Sequence, residues 1–104
     1  MRRLCENGWV VTLETLRERR ADVLEIARRR GGRAVWVFGS VARGDATPAS
    51  DVDFLVEFEP GRSLFDQVHL IADLGSLLGT RVDVVAKGGL LERDRHILAE
   101  AVPL

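Results

Sequence analysis

The chain has 104 residues and a formal net charge of −1, enough length for one hydrophobic core but no broad positive field with which to grip DNA or RNA by phosphate neutralisation. Apolar residues at 46% and charged residues at 30% are ordinary for a globular domain, so fibrous, disordered and low-complexity classes are set aside and one domain over residues 1–104 is expected. Cys5 is the only cysteine, which rules out an internal disulfide and a cysteine-built zinc site and fits a reducing cytoplasm.

Met1-Arg2-Arg3 imitates the start of a signal peptide, but Glu6, Asn7 and Gly8 interrupt before any adequate apolar stretch. No run approaches the roughly 18 apolar residues of a membrane helix, so neither secretion by that route nor a membrane span is expected. Cys5 is assigned no chemistry, and Trp9 is placed ahead of the first helix as a cover for a partner or for the domain's own edge. Thr12 is positioned to cap a helix in which Leu13, Leu16, Val23, Leu24 and Ala27 recur at helical spacing until Gly31-Gly32. Its other face mixes arginines with Glu14, Glu18, Asp22 and Glu25, which reads as a solvated, salt-bridged surface.

Arg33 to Phe38 is short, β-branched and aromatic, which predicts a buried strand ending at Gly39 with Trp36 in the core. Gly44, Asp45, Thr47 and Pro48 make residues 41–50 a loop, with Asp45 as a turn former, before Val52 to Phe58 resumes a strand pattern. Pro60-Gly61 ends that strand. Ser63 with Asp66 forms a helix-start signature ahead of Leu64, Phe65, Val68, Ile71, Leu74, Leu77 and Leu78, with Gly79 as the stop. Arg81 to Ala86 reads as a third strand, Gly88-Gly89 as a turn, and Leu90 to Ala101 as a last helix stopped by Pro103. The predicted order is α-β-β-α-β-α. His69 and His96 fall on helices without metal-ligand spacing and are read as surface residues.

The chemistry concentrates at two strand ends. Residues two apart on a strand point to the same face with Cα atoms roughly 6.5 to 7 Å apart, so Asp51 and Asp53 can aim both carboxylates at one place while Phe54, Val56 and Phe58 supply packing. Paired carboxylates suit divalent metal, and two metal ions at such a site can activate a hydroxyl and grip a triphosphate. Gly39 lets backbone N–H groups approach phosphate oxygens, and Ser40 adds a hydroxyl. Asp83, on the third strand, can complete the metal site or take the nucleophile's proton. Arg43 has two readings, a phosphate contact or a pair with Asp45.

Val37-Phe-Gly-Ser-Val-Ala-Arg-Gly-Asp45 followed by Ser50-Asp-Val-Asp-Phe-Leu-Val56 resembles the signature of the minimal nucleotidyltransferase (MNT) family of the DNA polymerase β superfamily. The match is close over the motif and loose over residues 12–104. The resemblance implies an α+β, polymerase β-like nucleotidyltransferase fold, a mixed β-sheet flanked by helices, and transfer of a nucleotide from ATP at a two-ion Mg2+ site with release of pyrophosphate. Carried over residue by residue, Gly39 and Ser40 bind the triphosphate, Asp51 and Asp53 bind metal, and Asp83 is the third carboxylate.

It also implies a setting, because small MNT proteins are commonly antitoxins of HEPN-domain ribonuclease toxins and some attach AMP to a toxin tyrosine. This chain contains no tyrosine, so self-modification at that residue type is excluded and a tyrosine acceptor lies on another molecule. Larger relatives carry a helical acceptor domain. With the chain stopping at Leu104, a partner is expected to supply that wall in a hetero-oligomer. The alternatives are a non-catalytic nucleotide-binding antitoxin acting by occlusion, and an acceptor that is an aminoglycoside-like small molecule or an RNA end.

Overall fold

A computed structural model describes residues 10–104, and the expectations for Met1 to Arg3, Cys5 and Trp9 lie outside the described residues. Thr12 caps the first helix reciprocally: its hydroxyl accepts from the Thr15 amide at 3.1 Å, and Thr15 Oγ1 accepts from the Thr12 amide at 2.8 Å. The expected single helix is divided into α1 (Leu13–Glu18) and α2 (Arg20–Arg29) by a turn at Arg19, whose backbone has φ −104° and ψ 15°. The Arg19 amide bonds to the carbonyls of Thr15 and Leu16, and its carbonyl accepts from Val23, so the ladder tightens without breaking. Leu16, Val23 and Ala27 are buried through both pieces, which is why their spacing reads as one helix. Glu25 accepts from Arg28 at 2.7 Å and Arg29 at 3.1 Å, confirming the salt-bridged outer face.

Among the described residues four strands form one mixed sheet in the order β3 (Val82–Ala86), β2 (Val52–Phe58), β1 (Gly32–Phe38), β4 (Val102–Pro103). β1 is antiparallel to both β2 and β4, while β2 and β3 are parallel. The parallel pair needs a crossover, and α4 (Leu64–Leu78) provides it. Ser63 caps α4 by accepting from the Phe65 amide at 3.2 Å, with Asp66 Oδ2 accepting from the Ser63 amide at 3.1 Å. Gly79, at φ +70°, ends it.

One face of the sheet, carrying Val35, Val37, Phe54, Val56 and Val84, packs against Leu16, Val23, Ala27, Leu70, Leu74 and Leu78 from the helices. Arg30 and Asp73 join α2 to α4 at 2.8 Å.

Two further expectations are corrected. Trp36 is half-buried rather than core, because Val35 and Val37 point into the cluster and alternation turns Trp36 to the other face, where Lys87 Nζ lies 5.3 Å from its ring centroid. On α4, Leu70, Leu74 and Leu78 form the stripe that faces the core, and Leu64, Phe65 and Val68 fall off it in helical phase, 71%, 75% and 52% exposed. The last helix is only α5 (Arg95–Glu100), preceded by a 3₁₀ turn at Glu92–Asp94. The chain then extends into β4, with Pro103 opposite Trp36 and the Leu104 amide donating to the Val35 carbonyl at 2.9 Å. Proline is tolerated there because β4 is an edge strand. No helix among the described residues is long and apolar enough to cross a membrane.

Candidate active site

Strand register assembles the site. Asp53 on β2 is the Cα partner of Phe38, the last residue of β1, and of Asp83 on β3, so one row across three strands ends beside Gly39. Gly39 adopts φ +77° and ψ −152°, a region that only glycine enters readily. A Cβ here would collide with Asp53 Oδ2. The glycine therefore serves the positive-φ backbone first and leaves room for the Asp53 carboxylate second, two reasons beyond the phosphate approach inferred from the motif. Ser40 opens a single helical turn, α3 (Ser40–Arg43), which Gly44 closes at φ +85°. The expected loop thus begins with a helical turn.

Gly39, Ser40, Arg43, Asp51, Asp53 and Glu100 line one open cleft of about 520 Å³, within the range of small-ligand sites. Burial is the largest influence holding the Asp53 pKa above its usual value, followed by the charges of Asp83 and Asp51; Arg43 opposes these and Glu100 adds to them. A carboxylate so placed gains from any cation that joins the cleft.

Asp51, just before β2, is exposed and forms an ion pair with Arg81, its Oδ1 lying 3.0 Å from Nε. Asp83 is exposed, accepts from the Val84 amide at 3.0 Å, and lines an adjoining depression shared with Asp51 and Arg81 rather than the cleft itself. Among the described residues no three His, Cys, Asp or Glu side chains form a ready-made metal cage. Asp51 and Asp53 remain hard oxygen donors on one cleft. Magnesium is commonly held by one or two carboxylates, the other positions being left to water and substrate phosphates, and the pair fits that ion.

Arg43 makes the expected pair with Asp45 at 3.4 Å, and also reaches Glu100 Oε1 at 3.3 Å. Hydrogen bonding to Asp45, then its charge, then Glu100, raise the arginine's pKa and keep it cationic. Glu100 belongs to no motif in the sequence. Its Oε1 accepts from the Gly39 amide at 2.9 Å across 61 residues of sequence, a contact that only the return of the chain into β4 creates. His96, on the same short helix, also lines the cleft. Arg81 had a usable signal: with β2 and β3 parallel, Val52 faces Val82, so position 81 falls beside position 51.

The family model described as a nucleotidyltransferase domain matches residues 20–102, a span that includes every residue of the cleft. The protein adenylyltransferase MntA of Thermococcus cleftensis is 48% identical over 66 residues, which are 64% of this chain and 67% of that protein. A solved structure provisionally described as a minimal nucleotidyltransferase is 52% identical, with a TM-score of 0.79 over 90% of this chain and 97% of that one. The fold is also similar to a chain in the complex of a tri-AMPylated Shewanella oneidensis HEPN toxin with its MNT antitoxin. There the identity is 16% and the TM-score 0.65, over 84% of this chain and 69% of that one.

Proposed function

The chain belongs to the nucleotidyltransferase-domain family in its minimal, MNT form, and on that premise we propose that it transfers AMP from ATP to a tyrosine hydroxyl of a HEPN ribonuclease toxin, acting as that toxin's antitoxin. The observation that carries this reading is the meeting of the Gly39-Ser40 corner with Asp51 and Asp53 in one cleft. A relative named protein adenylyltransferase supports the transferred group, and the fold's likeness to a chain of an MNT–HEPN complex supports the partner.

Asp51 and Asp53 would hold magnesium, which when bound neutralises triphosphate charge and activates an oxygen nucleophile. The Ser40 hydroxyl and the backbone amides of α3 would donate to phosphate oxygens and orient the α-phosphate toward the incoming hydroxyl. Asp83, level with Asp53 on the next strand, would take the hydroxyl proton as the acceptor oxygen bonds to the α-phosphorus and pyrophosphate departs. Because the chain has no tyrosine, the acceptor enters from a second protein.

A second reading, in which the protein binds nucleotide and neutralises its toxin by occlusion, draws on Arg81 and Glu100 already pairing Asp51 and Arg43. Incubation with magnesium, α-labelled ATP and the toxin separates the two. Label on a toxin tyrosine that disappears with Asp51→Asn, Asp53→Asn supports transfer. A double variant that labels as well as the parent contradicts it, and one that cannot label yet protects fully from the toxin supports occlusion.

A further inference from the structure

Glu100 occupies an anion's position. One carboxylate oxygen accepts from the Gly39 amide at 2.9 Å and from Arg43 at 3.3 Å, and the second oxygen lies 3.5 Å from the same guanidinium. A backbone amide at a positive-φ glycine together with an arginine is a donor set suited to a phosphate oxygen. In the chain as it stands, those donors are satisfied by the protein itself.

Glu100 stands close enough to Asp53 to oppose its ionisation, alongside Asp83 and Asp51. A carboxylate among carboxylates is held only by the donors it captures, and a phosphate that arrived with a cation would take those donors while neutralising the acids.

The segment carrying Glu100 is also lightly attached. α5 has six residues and buries none of them. The strand beyond it is firmly tied: Val102 and Pro103 pair with Val37 and Trp36, and the Leu104 carbonyl accepts from Arg20 Nε at 2.6 Å. Upstream, a 3₁₀ turn at Glu92–Asp94 leads back to Gly88 and Gly89, so α5 is a short span between a fixed strand and a single 3₁₀ turn.

We propose that Glu100 is an internal stand-in for substrate phosphate, which a nucleoside triphosphate displaces on binding, so that α5 swings as a nucleotide-responsive arm at the mouth of the cleft. The proposal rests on the nucleotide-transfer reading of that cleft and adds to it a competition that sets how readily ATP enters.

The test uses calorimetric titration of the full chain with magnesium-ATP, comparing the parent with Glu100→Gln and Glu100→Ala. Both variants are expected to bind about three- to tenfold more tightly, because the ligand no longer displaces a charge-assisted pair. In parallel, hydrogen exchange of the 95–101 segment in the parent is expected to speed up on saturation with magnesium-ATP, a readout that needs no variant to fold. Parent binding with unchanged or weakened binding in both folded variants would overturn the arm while leaving the transferase reading intact, as would unchanged exchange at saturation. No binding by parent or variants would sink both.

Discussion

Val52, Phe54 and Val56, on one side of β2, are buried in the cluster that α2 and α4 close, whereas Asp53, on the other side, faces a cleft and the charges of Asp51, Asp83 and Glu100. The two sets alternate along a single strand, yet one stabilises the fold and the other strains against it. The pleat separates them at this end of the strand: period-two alternation turns Phe54 into the cluster and Asp53 to the cleft, and the cleft side becomes apolar again two residues on at Leu55, which is fully buried. Substitutions one residue apart should therefore act in opposite directions.

The largest effect is expected from Phe54→Ala. Deleting this fully buried ring should cost about 3–5 kcal/mol and lower the melting temperature by on the order of 15 °C or more, read by circular dichroism. A shift of only one or two degrees would mean that the buried side of β2 is not the core.

Gly39→Ala should cost about 1–3 kcal/mol, because alanine resists the positive-φ conformation and its Cβ meets Asp53 Oδ2. Part of that cost should disappear in an Asp53→Ala background, leaving only the backbone share. Equal costs in both backgrounds, measured by a double-mutant cycle in urea, would show that the glycine does not serve Asp53.

The smallest effect carries the opposite sign. Since Asp53's folded pKa is raised, its ionised form weakens the fold, a penalty absent below the ordinary carboxylate value of about 3.9 and complete above the raised one. Asp53→Asn, in chelator, should stabilise the protein at neutral pH by less than about 1 kcal/mol, given the solvent screening at this partly open site. The gain should fade as pH drops through the raised pKa toward the ordinary value. A variant less stable than the parent at pH 7 would contradict this account of the cleft.

What could be read in the sequence was local. The capping residues Thr12 and Ser63, the stops at Gly31 and Gly79, and the alternation of Asp53 with Phe54 each depend on neighbours within a few residues, and each stands where expected. Long-range pairing hid the rest. β4 has only two residues, too few for any pattern, and exists because β1 offers it a free edge. Glu100 enters the site only through that pairing. Trp36 departs from expectation because its aromatic character suggests core while its place in the alternation turns it outward, and the turn at Arg19 leaves no signal because neither glycine nor proline marks it.

The central claim is that Asp51 and Asp53 hold the metal that accompanies nucleotide beside Gly39. Manganese is a paramagnetic substitute for magnesium, and with ATP it should broaden the amide resonances of Gly39, Ser40 and Asp53 beyond detection while sparing Val23 and Ala27 within the helical layer. The broadening should vanish in the Asp51→Asn, Asp53→Asn protein. Broadening that persists in that protein, or that centres away from the cleft in the parent, would contradict the claim.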